Sequence, residues 1–375
     1  MRHFSAKIFA LSLYAMFHAV VPANAEDVQG ALVEEELKLL AQFNHADGSG
    51  YTVNLDALVI RPNDGQRHPL AVISHGTVMG AIKRTYPREL RSQALEMARR
   101  GWVTVIATRR GYGNSEGGFS EGMTCDGPSV TQAGRASAAD IRETIHTMAD
   151  KPYVDASKVI AIGHSSGGFA VIASSANPPP GLVAVINFAG GRHASDSPDK
   201  QECSENSMVA AMATYGKTSR LPTLWVYAEN DHRETPALVQ RMYSAFTGAG
   251  GNAEFIASPA FGSEGHYLFS RAGTSRWTTY ADAFLNKQGL KLLDTPISFD
   301  ESAGVDFPSG LDERGRRAYL DYLDGGEHKA FAANSRGAYS VVVRKNSAQD
   351  AIDKAMEDCK GRPLCSLASV DDHNQ

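Results

Sequence analysis

Residues 158–175 read KVIAIGHSSGGFAVIASS, and the fold turns on how this stretch is read. KVIAIG is a short apolar run of the kind found in a strand buried on both faces. Gly163-His164-Ser165-Ser166-Gly167 follows, extended by Gly168. The chain then continues as a small-residue helix, expected over 166–176, which stops before Pro178-Pro179-Pro180. A strand, a tight glycine turn and a helix in succession leave Ser165 on a sharp corner, its hydroxyl exposed ahead of a helix N-terminus that favours developing negative charge. The plainer alternative is a glycine-rich turn holding a buried serine. The agreement of all three parts favours a nucleophile.

A serine hydroxyl needs a base near neutral pH, and the base needs an orienting carboxylate. In this arrangement the partners follow in the order serine, acid, histidine, on loops after later strands. LPTLWVYA (221–228) reads as a strand, and Asp231 stands just past it. His266, in Gly265-His266-Tyr267, follows the next strand. Glu229 is the rival acid, and His232 is expected as a neighbour lining the site. Two backbone amides should receive the oxyanion. One is that of Ser166. The other is expected from the loop His75-Gly76-Thr77-Val78, with Thr77 as donor and Gly76 allowing close approach.

Around this segment strands and helices alternate. YTVNLDALVIR (51–61) alternates in polarity, whereas PLAVIS (69–74), WVTVIAT (102–108) and LVAVINFA (182–189) are continuous apolar runs. A further strand is expected at 252–257, and helices at 87–100, 131–149, 235–248 and 274–287. Such a pattern means a mostly parallel sheet covered by helices on both faces, the α/β class. LVEEELKLLAQF, within 26–50, fits neither a helical nor a strand period, so both stay open. A short polar insertion occupies 190–220, and 290–310 is a connector. From 311 to 375 the composition changes to a charged helix, short strands in AFAANSR and GAYSVVVRK, and the helix SAQDAIDKAMEDC. This is expected to be a small cysteine-containing α+β module.

SHGT, RRGYGNSEG, GHSSGG, LWVYAENDH and GHYLF occur in that order. Together they resemble the α/β-hydrolase family over residues 33–288, most nearly the exported dienelactone-hydrolase-like proteins of bacteria. The resemblance implies an α/β-hydrolase domain over 26–289, with nucleophile Ser165, acid Asp231 and base His266. It also implies that Arg110–Gly117 is a structural loop near the pocket. Dienelactone hydrolases use cysteine as nucleophile; the serine here keeps carboxylic esters as expected substrates and departs from dienelactone chemistry. The tail resembles small cysteine-paired modules of exported bacterial proteins.

Arg2 and Lys7 precede the apolar run IFALSLYAMFHAVVPA, and Ala23-Asn24-Ala25 stands before Glu26-Asp27. This is the layout of a secretory signal peptide over 1–25. Cleavage after Ala25 would send the chain to the periplasm or beyond, with no stable membrane insertion afterwards. Four cysteines, Cys125, Cys203, Cys359 and Cys365, suggest two bridges in an oxidising compartment. Cys359 and Cys365 flank Gly361 and Pro363, which suits a local bridge, and Cys125 with Cys203 follows by elimination. The absence of a CxxC pair weakens a zinc alternative.

With 42% hydrophobic and 21% charged residues, the chain is neither collagen-like nor wholly disordered. A net charge of −5 gives no global attraction to nucleic acid. The leading expectation is a serine hydrolase acting on a small-molecule carboxylic ester, a chemistry that needs no metal or organic cofactor. A serine peptidase or amidase of oligopeptidase type shares the triad, although 190–220 is too short for a full lid domain. A non-catalytic envelope-binding protein could also use this fold. The joint presence of serine, aspartate and histidine favours an enzyme.

Overall fold

The computed structural model describes residues 25–26, 31–45, 47–78, 80, 82–123, 129–193, 198–326, 328–359, 365–371 and 373–374. Its strands are β1 (Ala25–Glu26), β2 (Leu32–Asn44), β3 (Gly50–Pro62), β4 (His68–Ser74), β5 (Val103–Ala107), β6 (Val154–His164), β7 (Leu182–Phe188), β8 (Thr223–Ala228) and β9 (Ala253–Ser258). They form one sheet in the order β1-β2-β3-β5-β4-β6-β7-β8-β9. The first three pair antiparallel, and β3 pairs antiparallel with β5. From β5 through β9 every neighbouring pair is parallel.

Both faces of the parallel strands are buried, which is why they read as continuous apolar runs. In β6, Val159 and Ala161 join one core cluster, while Ile160 and Ile162 join the other. The first cluster is closed by α2 (Ser129–Ala149) and α3 (Ser166–Ser175), among others, through Ile141, Ile145 and Phe169. On the second face, α1 (Arg91–Arg99) and α6 (Thr274–Lys287) contribute Leu95, Trp277 and Phe284. This is the α/β-hydrolase architecture expected from the sequence.

Two segments settle what the sequence left open. LVEEELKLLAQF is strand β2, in unbroken register with β3 from Leu32 opposite Pro62 to Asn44 opposite Gly50. Its charges obscured the period because Glu34 is buried, held at 2.8 Å by both Arg88 and Arg91. The polar insertion is mostly α4 (Pro198–Gly216), whose Met208, Ala211, Met212 and Tyr215 pack into the first core cluster. α5 (Pro236–Gly248) follows β8.

The C-terminal module contains α7 (Glu313–Asp324), β10 (Ala330–Ala333), β11 (Tyr339–Val342), α8 (Ala348–Cys359), β12 (Ser366–Val370) and β13 (His373–Asn374). Its four strands run antiparallel in the order β11-β10-β12-β13. Ala351, Ala355 and Cys359 of α8 cover Ala330, Ala332 and Val342, while Tyr319 and Tyr322 of α7 pack with Phe331 and Ala333. Cys359 and Cys365 form a disulfide that joins the end of α8 to the start of β12. The other expected bridge, Cys125 to Cys203, and the signal segment before Ala25 lie outside the described residues. No helix among the described residues is long and apolar enough to cross a membrane.

The module docks on the hydrolase domain through ion pairs. Arg271 binds Asp321 at 2.8 Å and also Asp324, and Arg344 pairs with Glu89. The Arg344 carbonyl accepts the Arg84 Nε–H at 3.1 Å.

Candidate active site

The strand order reverses at β4, which has β5 on one flank and β6 on the other. In doubly wound sheets the crevice at such a switch point, beyond the strand carboxyl ends, is where ligands bind. Ser74 pairs with Gly163, so the loops leaving β4 and β6 emerge side by side. Ser165 occupies the corner between β6 and α3 with φ 56° and ψ −125°, a strained conformation for a residue with a side chain. A Cβ on Gly167 would overlap the Ser74 carbonyl, so only glycine lets the helix start this close to β4. Gly76 is equally near: a Cβ there would lie 3.2 Å from that of Ser165.

Asp231 and His266 meet at the same edge. Asp231 follows β8 and is buried; its Oδ1 accepts the amides of Arg233 and Glu234, each at 2.9 Å. Its Oδ2 accepts Nδ1–H of His266 at 3.2 Å. His266 lies on a 3-10 turn (Gly265–Leu268), and Ser165 and His266 line one cavity. The structure thus brings all three sequence-derived residues to one place.

Three further groups position this histidine. Glu264 Oε1 accepts the amides of His266 at 3.0 Å and His232 at 3.1 Å, clamping the two loops together. His164 Nε2–H donates to the His266 carbonyl at 2.8 Å. Burial pushes the His164 pKa down to about 3, so it performs this task as a neutral ring. The third is a second buried carboxylate. Glu234 Oε2 lies 3.3 Å from His266 Nδ1, out of line for a hydrogen bond, while its Oε1 faces His193 Nε2 at 3.0 Å. Burial works against the charge of Glu234, but His193 and His266 hold its pKa at about 2. For His266 burial disfavours the imidazolium, but Asp231 and Glu234 outweigh it and raise its pKa to about 9. Asp231, Glu234 and His266 offer ligand atoms within 4.8 Å of one another, a spacing that could hold a cation. Here those atoms are engaged with each other and with His193.

Two sequence expectations need correction. Glu229, the rival acid, is exposed, and the carboxylates that meet His266 are those of Asp231 and Glu234. His232 does not line the cavities. It is exposed, with Nδ1 3.1 Å from Glu264, because the turn made by Asp231 and its two amides carries the next side chain outward. Arg233 lines the site instead.

The two candidate oxyanion donors are tied together through their side chains. Thr77 Oγ1 is 2.7 Å from both Ser166 Oγ and Tyr112 Oη. Tyr112 donates to Glu121 at 2.8 Å, and Arg109 and Arg192 also bind Glu121. Arg109 continues to the His75 carbonyl at 2.6 Å and to Ser166 Oγ at 3.2 Å. Burial raises the Glu121 carboxyl, but two guanidiniums hold it well below the usual carboxylate range. One carboxylate between two buried arginines leaves excess positive charge behind Ser166, the sign an oxyanion needs. RRGYGNSEG therefore has a role beyond loop structure: Arg109 reaches Ser166 of the elbow, and Tyr112 reaches the Thr77 hydroxyl.

Two cavities, each of about 210 Å³, flank Ser165. One is bounded by Gln93, His266, Tyr267, Phe269 and, from the C-terminal module, Arg344. The other is bounded by Phe119, Met123, Ser166, Arg192 and His193. Thr77, Ser165 and Arg233 belong to both. Of five exposed large apolar residues among those described, Val78, Phe119 and Tyr267 lie at these cavities, so the site offers apolar contact beside the nucleophile.

The model of the X-Pro dipeptidyl-peptidase (S15 family) matches residues 47–257. The chain belongs to this S15 family. The match contains Ser165 and Asp231, and His266 lies just beyond it. Among solved structures, an acetyl xylan esterase from Paenibacillus sp. R4 is 15% identical, with a TM-score of 0.49, covering 69% of this chain and 86% of its own. The esterase Pf2001 of Pyrococcus furiosus is 13% identical, with a TM-score of 0.46 and coverages of 68% and 90%. The acylaminoacyl peptidase of Pyrococcus horikoshii is 18% identical, with a TM-score of 0.44, covering 71% of this chain and 43% of its own. A search of curated proteins found no match. The S15 match makes the chain a hydrolase; it does not fix which bond is cut.

Proposed function

We propose that the chain is an exported serine hydrolase that cleaves carboxylic esters through an acyl-enzyme. The observation that carries this reading is the placement of His266: Nδ1–H points at the buried Asp231 carboxylate while the ring shares a cavity with the strained Ser165. In the neutral ring, with Nδ1 protonated, Nε2 is the free base. Ser165 Oγ attacks the ester carbonyl carbon and gives its proton to His266 Nε2. The amides of Thr77 and Ser166 receive the oxyanion. His266 then protonates the departing alcohol, and water repeats the cycle to free the acid.

Family membership favours a second reading, hydrolysis of a peptide bond as in an X-Pro dipeptidyl-peptidase. The same residues would act, with an amine leaving. Esters graded by acyl length, set beside chromogenic X-Pro dipeptide amides, separate the two when the Ser165→Ala protein serves as control. The ester reading expects at least one ester to be turned over faster than any dipeptide amide. Selective cleavage of the amides would replace it with the peptidase reading. Export is supported by the amino-terminal sequence and fits the Cys359–Cys365 bridge.

A further inference from the structure

We infer that the substrate carries a carboxylate near its scissile bond and that Arg233 receives it. The inference rests on the hydrolase reading and deepens it by naming a substrate class. It comes from the charges lining the two cavities. Every carboxylate there already has a cationic partner: Glu89 has Arg344, Glu121 has Arg109 and Arg192, and Glu234 has His193 and His266. Arg344 and Arg192 are spoken for by the same pairs. Among the described residues, Arg233 is the one lining arginine whose guanidinium has neither an ion pair nor a hydrogen bond.

Its position is suited to the task. The Arg233 amide is fixed at 2.9 Å to Asp231 Oδ1, so its backbone is held relative to the catalytic acid, and the residue borders both cavities beside Ser165. Its charge disfavours the protonated forms of His164 and of His193, one imidazole in each cavity. In open water an exposed guanidinium is well solvated. When substrate fills the cleft that solvation is reduced, and an anion that can accept its forked N–H groups becomes the preferred neighbour. A positive group at a cleft mouth also raises the local concentration of anionic ligands.

Two matched pairs of esters test this on the full chain, with proton release as readout. The mono-4-nitrophenyl ester of glutaric acid against 4-nitrophenyl pentanoate places the carboxylate on the acyl side. The butyrate ester of 4-hydroxybenzoate against phenyl butyrate places it on the leaving group. The wild type should favour the anionic member of one pair by about tenfold in kcat/KM, mostly through KM, and the preference should shrink as salt is added. The pair that shows it identifies the side. Arg233→Gln should erase the preference and Arg233→Glu should invert it. No anionic preference in either pair, or one that survives Arg233→Gln, overturns the inference while neutral-ester turnover leaves the hydrolase reading standing. Inactivity on all four esters, with no phosphonate adduct on Ser165, would instead remove the hydrolase reading and the inference with it.

Discussion

Gly191 and Glu234 fit together only because the glycine lacks a side chain: a Cβ on Gly191 would overlap Oε1 of Glu234. That oxygen faces His193, and the other oxygen of the same carboxylate faces His266. The glycine therefore makes room for the second carboxylate beside the base. Gly191→Ala should displace Glu234 and leave His193 without its partner. The expected outcome is a folded protein whose pH profile moves in the same direction as that of Glu234→Gln, read by circular dichroism and kcat/KM against pH.

The pH profile follows from the charge on His266. With its pKa at about 9, the imidazole is protonated in the free enzyme at neutral pH and cannot accept the Ser165 proton. The ascending limb of kcat/KM, which reports the free enzyme, should therefore be centred near pH 9. Glu234→Gln removes one of two stabilising carboxylates and should lower that midpoint by about one unit. The sign for stability is opposite. The raised pKa adds stability that is full below the unfolded value of about 6.5 and is lost as pH climbs through about 9.

Asp231 and Glu234 have unequal roles. Asp231 accepts the Nδ1 hydrogen bond and fixes the tautomer, whereas Glu234 contributes charge from a position out of line. Asp231→Asn should lower kcat by on the order of 10⁴. Glu234→Gln should cost far less at a pH above the midpoint, and Glu229→Gln should cost almost nothing. Steady-state kinetics at a single alkaline pH rank the three.

How much of this was legible beforehand depends on sequence distance. The elbow is local: strand, glycines and helix are contiguous, so Ser165 could be read directly. Asp231 and His266 could be read because each follows a strand end. Glu234 was not legible, since it competes with Glu229 for the same loop, and only the turn at Asp231 decides which carboxylate faces inward. Glu264 acts through backbone amides, which leave no signature in side-chain identity. The contribution of Arg344 needed tertiary structure outright, because it approaches Glu89 from a separate module.

That approach makes the module part of the cavity wall. Arg344 has φ 59°, and its pairing with the mostly buried Glu89 bridges the two units. Removing one member of such a pair leaves a buried carboxylate uncompensated. Arg344→Ala should cost about 2–3 kcal/mol, below the range for a fully buried pair because the arginine is partly exposed. Adding Glu89→Gln should recover part of the loss. Urea midpoints of the two single variants and the double variant measure both effects.

The central claim is that Ser165 is a nucleophile activated by His266. Its most direct measurement is intact-mass and peptide mapping after exposure to a fluorophosphonate, on the wild type, Ser165→Ala and His266→Ala. The account predicts one adduct per chain, on Ser165, formed rapidly in the wild type, absent from Ser165→Ala and slowed by orders of magnitude in His266→Ala. An adduct on another residue, or unchanged labelling in His266→Ala, would contradict it.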